Sequence, residues 1–180
     1  MEPILEKLER RLASWKCLYL SNGGKVTLIK STLSTLPTCF LSLFPIPADI
    51  ANHIEKLQWD FLWSGIDESP KFRLVKWAQV YSPLKSSGLG VWNLRIFNQA
   101  LLGKRLWRYG TETIHEWWRV IEIKYGNNWG GWCTKGETNT YGVSLWRTIR
   151  QSWPTFSKSI IFEVGTSNRV RFWHYLWCGG

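Results

Sequence analysis

Aspartate is scarce in this chain of 180 residues: only Asp49, Asp60 and Asp67 occur, and residues 91–180 contain none. Metal-dependent phosphoryl chemistry needs carboxylates that converge on divalent ions. Three separated aspartates, with no Asp-Asp pair, exclude that arrangement. Glu112, Glu116 and Glu122 lie near one expected helix and read as its solvated face. Cysteine and histidine are sparse too. Cys17, Cys39, Cys133 and Cys178 form no Cys-x-x-Cys, and His53, His115 and His174 are equally scattered. His174 and Cys178 share a helical spacing but supply only two ligands, short of a zinc site. Free, buried thiols in a reducing compartment are therefore expected. Ser86 to Gly90 is not followed by the Gly-Lys-Ser/Thr of a phosphate-binding loop, and neither Ser21 nor Ser144 has a recognisable base. No catalytic residue, metal or cofactor is expected.

Long apolar runs are also missing. Leu36 to Ile46 is the most apolar stretch, but Pro37 and Pro45 break it and it is too short to span a bilayer. Met1 to Lys7 is charged too early and too often for a secretory leader. These features predict a soluble, intracellular protein, the nucleus included, with no membrane partner.

Tryptophan, by contrast, is abundant, at 14 residues, and the formal net charge is +10. Residues 1–90 carry 11 basic and 8 acidic side chains, net +3; residues 91–180 carry 12 and 5, net +7. A basic field attracts polyanions, and an indole beside a cation can stack on a base while the cation holds phosphate. Lys104, Arg105 and Arg108 surround Trp107, and Arg169 and Arg171 precede Trp173. These placements point to a nucleic acid as partner. The bland alternative for Lys104, Arg105 and Arg108 is the C-terminal end of a helix, where cations suit the dipole without any ligand.

Periodicity predicts a mainly α-helical chain. Ile4, Leu8, Leu12 and Trp15 mark a helix over 3–19. Ser21 to Gly24 reads as a turn, and a second helix runs from Lys25 toward Leu36. Asn22 to Lys25 admits phosphate binding at a helix start, but glycines that solve turn geometry explain it better. Ile50, Ile54, Leu57, Phe61 and Leu62 mark a third helix from Ala48 to Trp63. Residues 72–81 stay ambiguous between strand and helical turn, and Pro83 to Gly90 forms a loop whose glycines allow positive φ. Further helices are expected over 93–109, 114–124 and 145–153, the last capped by Ser144 and ended by Pro154. Residues 127–141, rich in Gly, Asn, Thr and Trp, read as a long mobile loop. Ile160 to Val164 and Arg169 to Trp173 suggest a small C-terminal β-hairpin.

Several strings, in order and nearly end to end, carry a resemblance. They include Leu12 to Lys16, Leu20 to Lys30, Phe61 to Trp63, Val75 to Trp77, Pro83 to Gly90, Asn98 to Arg108, Lys124 to Gly126, Leu145 to Ile149, and Arg171 to Trp173 with Trp177. The chain resembles the region downstream of the catalytic palm in plant LINE-type (non-LTR) retrotransposon reverse transcriptases. The resemblance implies a thumb-like helical region over 1–80, gripping template–primer phosphates through Lys16, Lys25 and Lys30. It implies a basic, Trp-rich linker over 81–180, with Lys104, Arg105, Arg108, Arg169 and Arg171 as further contacts. By the same resemblance RNA or an RNA–DNA hybrid, and the missing palm and zinc-binding regions, would be its natural partners. Ser87 stands where relatives tend to have glycine, and Tyr175 where they have aspartate. The alternatives are a structural or protein-interaction fragment without nucleic-acid binding, and a non-functional remnant.

Overall fold

The computed structural model describes residues 2–16, 20–35, 38–63, 75–136 and 145–162. Among them the chain is mainly α-helical, as expected. The helices are α1 (Glu2–Lys16), α2 (Asn22–Thr35), α3 (Thr38–Leu41), α4 (Ala48–Trp63), α5 (Trp77–Tyr81), α6 (Leu94–Thr111), α7 (Glu116–Tyr125), α8 (Leu145–Arg150) and α9 (Trp153–Ser157). Short 3-10 turns occupy Leu84–Ser86 and Trp129–Gly131. The only extended pairing among the described residues is an isolated antiparallel bridge between Asn127 and Thr134. Of the expected C-terminal hairpin, Ile160 to Phe162 are irregular, and the remainder lies outside the described residues.

Two compact units divide the chain: Met1–Leu41 with Ile46–Asn98, and Ser42–Pro45 with Gln99–Gly180. The first unit packs α1 and α2 against α4, with α3 beside α2. Leu8 and Leu12 of α1, Ile29 of α2 and Ala51, Ile54, Phe61 and Leu62 of α4 are buried. With buried Gln58 between them, Ala51, Ile54 and Phe61 recur every three to four residues, so one stripe faces the core. Trp63, Trp59, Trp77 and Tyr81 form, in that order, a chain of rings with successive centroids 5.1 to 5.9 Å apart, a spacing at which tilted and edge-on pairs are favourable.

The second unit is built around Tyr109, whose side chain is fully enclosed. Leu102, Leu106, Trp146 and Ile149 surround it, with Trp117, Trp118, Ile121, Tyr125, Trp153 and Phe156 packed outside. Large rings with one polar atom need a partner when buried, and the unit supplies several. Trp118 Nε1 donates to the Tyr109 carbonyl at 2.9 Å, and Trp146 Nε1 to Thr134 Oγ1 at 3.2 Å. The Tyr109 hydroxyl bonds Asn127 Oδ1, while Asn127 Nδ2 donates to Glu122 Oε1 at 2.6 Å.

Three local expectations need correction. The glycines after Ser21 are not a turn: α2 already begins at Asn22. Ser21 Oγ accepts from Gly24 N at 3.3 Å, so the serine caps the helix and the break precedes it. Residues 72–81, open between strand and helical turn, are helical over Trp77–Tyr81, with 72–74 outside the described residues. Pro154 does not end a helix over 145–153. It sits in the first turn of α9, where its missing N–H costs nothing, and the interruption falls at Gln151 and Ser152. Finally, 126–135 folds back on itself rather than forming an open loop: Asn128 N donates to Cys133 O at 2.8 Å and Lys135 N to Gly126 O at 3.1 Å. Cys133 is buried as expected, but Cys39 is exposed. The Ser144 cap, Cys17 and Cys178 lie outside the described residues.

Candidate nucleic-acid interface

The eight basic candidates do not share one environment. The Lys16 side chain, Arg169 and Arg171 lie outside the described side chains. Lys25 is half-buried on α2, with its ammonium 6.0 Å from the Phe61 ring centroid. Lys30 is also half-buried, and its Nζ lies where a Cβ on Gly90 would come within 3.5 Å. One lysine thus turns toward α4 and the other toward the 82–90 loop. They do not form a common exposed face.

In the second unit the basic candidates lie on one helix. Lys104 is exposed and Arg105 half-buried on α6, and neither has an ion pair among the described residues. Trp107, one turn after Lys104, is 54% exposed. The helix continues to Thr111, so Lys104 and Arg105 precede its last turn. The macrodipole acts mainly within that turn, and it therefore explains Arg108 but not the other two. Arg108 is otherwise engaged. Its Nε lies 2.9 and 3.0 Å from the two Glu112 carboxylate oxygens, and its Nη2 lies 2.8 Å from Oε2. That bonding, followed by the charge attraction, raises the guanidinium further and holds the Glu112 carboxyl below its ordinary range.

Trp107 also borders an apolar groove of about 490 Å³, lined by Trp132, Trp153, Phe156, Ile161 and Phe162 among others. Beside Trp153 lies a second cleft of about 390 Å³, into which Lys135, Arg147 and Arg150 are drawn. Sequence reasoning missed these three. Arg147 and Arg150 carry the i, i+3 spacing of one helix face, but Lys135 reaches them only because 126–135 folds back. Among the described residues no group of three or more His, Cys, Asp or Glu is gathered as metal ligands would be. No helix among them is long and apolar enough to cross a membrane.

The chain is similar over 98% of its length, at 32% identity, to an Arabidopsis thaliana protein named "Putative ribonuclease H protein". It spans 29% of that protein's length. It is also 24% identical over 79% of its length to an "Uncharacterized mitochondrial protein" of the same plant, covering 92% of that relative. No protein-family model matches the chain. No solved structure matches it. The similarity to the first relative runs through both compact units, so the aromatic second unit and the α4-centred first unit belong to one shared stretch of sequence.

Proposed function

We propose that the chain is a retroelement-derived helical fragment that contacts a template–primer or RNA backbone and carries out no catalysis itself. The observation that carries this reading is the pairing of Lys104 and the open indole of Trp107 on one side of α6, with Arg105 adjacent. A cation and an exposed ring one helical turn apart offer phosphate and base contacts together. The net charge of +10 supports it, as do the reverse-transcriptase-like strings and the relative named as a ribonuclease. The thumb-like role of the first unit has less support, because Lys25 and Lys30 are turned toward different parts of their own unit.

That dispersal favours a second reading for the first unit, a structural or interaction fragment of a larger protein. Fluorescence anisotropy with a labelled RNA–DNA hybrid across salt concentrations tests the main reading. Saturable binding that weakens steeply with salt, and weakens further in Lys104→Gln/Arg105→Gln with the unfolding transition unchanged, is the expected result. A folded chain that ignores the hybrid at low salt would leave the interaction fragment.

A further inference from the structure

We propose that the cleft formed by α8 and the folded-back segment 126–135 is a phosphodiester site for single-stranded nucleic acid, with the adjoining aromatic groove taking a base of the same strand. This rests on the reading of the chain as a nucleic-acid-contacting fragment and assigns that contact to a specific place.

Three cations line the cleft: Lys135, Arg147 and Arg150. Among the described residues that line it, none is acidic; Tyr125, Thr134 and Gln151 are among the others. Arg150 is pre-oriented. Its Nε donates to the Thr134 carbonyl at 3.1 Å, which fixes the plane of the guanidinium. Its terminal nitrogens have no hydrogen-bond partner among the described residues. A planar fork held by one bond and open at its other end suits two phosphate oxygens. Lys135 is exposed and has no ion pair among the described residues. Its stem packs beside Gly126, at ordinary van der Waals distance (3.5 Å) from where a Cβ on that residue would sit.

The groove lies directly beside this cleft. The Arg150 guanidinium is 5.7 Å from the ring centroid of Trp153, and Trp153 lines the groove together with Trp107, Trp132 and Phe156. Phosphate and base of one nucleotide are separated by only a few bonds. A positive cleft next to an aromatic wall is therefore the layout single strands use, with sequence-tolerant stacking and salt-sensitive phosphate contact. A duplex keeps its bases inside and would gain only the cation contacts.

The test uses the full 180-residue chain and a fluorescein-labelled oligouridylate, with an RNA–DNA hybrid in parallel. Lys135→Gln/Arg147→Gln should weaken oligouridylate binding about tenfold near 0.1 M salt and flatten the log–log salt dependence by roughly 1.4, for two single-strand phosphate contacts. Lys135→Arg/Arg147→Lys should retain both affinity and slope. If the double Gln variant fails to fold, each single Gln variant should lose about half that slope. Binding of oligouridylate by a folded Gln variant at the wild-type affinity and slope overturns the site. So does a wild-type chain that binds the hybrid but not oligouridylate, and in that case the broader functional reading survives. A wild-type chain that binds neither removes both.

Discussion

The buried carboxamide of Asn98 donates through Nδ2 to the carbonyl of Leu41 at 2.6 Å. Its Oδ1 accepts from the Ile46 amide at 2.9 Å. One side chain on α6 thereby satisfies both backbone groups that flank the segment between α3 and Pro47. Asn98 is 4% and Leu41 1% exposed, whereas the bond to the Ile46 amide is only part-buried. Asn98→Leu should cost about 1–3 kcal/mol, because the buried Leu41 carbonyl and the part-buried Ile46 amide lose their partner at once. Chemical denaturation of the two proteins measures the difference. A loss near zero would mean that the segment rearranges to reach solvent.

Ser87 sits in the left-handed region, at φ 60 and ψ 21, as the C-cap of the 3-10 turn Leu84–Ser86. A residue with a Cβ is strained there. Ser87→Gly should therefore stabilise the chain, by about 0.5 kcal/mol once the added freedom of the unfolded glycine is counted. The next residue behaves in the opposite way. A Cβ on Gly88 would fall 2.0 Å from the Ser82 carbonyl oxygen. Gly88→Ala should cost about 3 kcal/mol or more by forcing backbone apart. Thermal melts of the two variants should move in opposite directions.

Those two neighbours show what a sequence can and cannot disclose. A loop with glycines was legible at 83–90, but which glycine serves φ and which serves close approach depends on the folded path. Helix existence followed from period: α1, α4 and α6 lie close to their expected spans because their apolar stripes are long. Boundaries failed where a single side chain or ring decides them. Ser21 capping moved the start of α2 ahead of two glycines, and Pro154 opened α9 instead of ending its predecessor. At the candidate interface, the charge near Trp107 was legible, whereas the Glu112 partner of Arg108 required the helix to extend past 109. Lys135 could not be placed beside Arg150 at all, since that meeting depends on the bridge between Asn127 and Thr134.

Cys133 gives the chain an alkaline weakness. The residue is 2% exposed, and burial pushes its thiol from 9.0 up to about 12, with Arg150 and the Thr134 amide opposing the shift. The folded state holds this proton more tightly than the unfolded chain. Its contribution is complete below about pH 9 and is lost as pH rises toward 12. Stability should therefore fall across that window, and Cys133→Ala should flatten part of the fall. A residual slope of the same sign is expected in the variant. The Tyr109 hydroxyl is also raised, by burial first and then by Glu122 and Cys133. Site-resolved alkylation at pH 8 supplies an independent check: exposed Cys39 should react quickly, and Cys133 only on unfolding.

Gly103 explains why α6 tolerates a glycine in its interior, where glycine costs about 1 kcal/mol relative to alanine. A Cβ at this position would meet Phe156 Cδ2 at 2.9 Å and Cε2 at 3.3 Å. The ring of α9 therefore rests on bare helix backbone, and the glycine trades helix propensity for that approach. Gly103→Val should destabilise the second unit by about 1–3 kcal/mol through overpacking. Gly103→Ala should fall nearer zero, because a better helix former offsets a displaced ring. The double-mutant cycle separates these terms. With Phe156→Ala in place, the clash is gone, and Gly103→Ala should become stabilising by about 0.5–1 kcal/mol. Additive effects across the cycle would mean that Phe156 does not set the identity of residue 103.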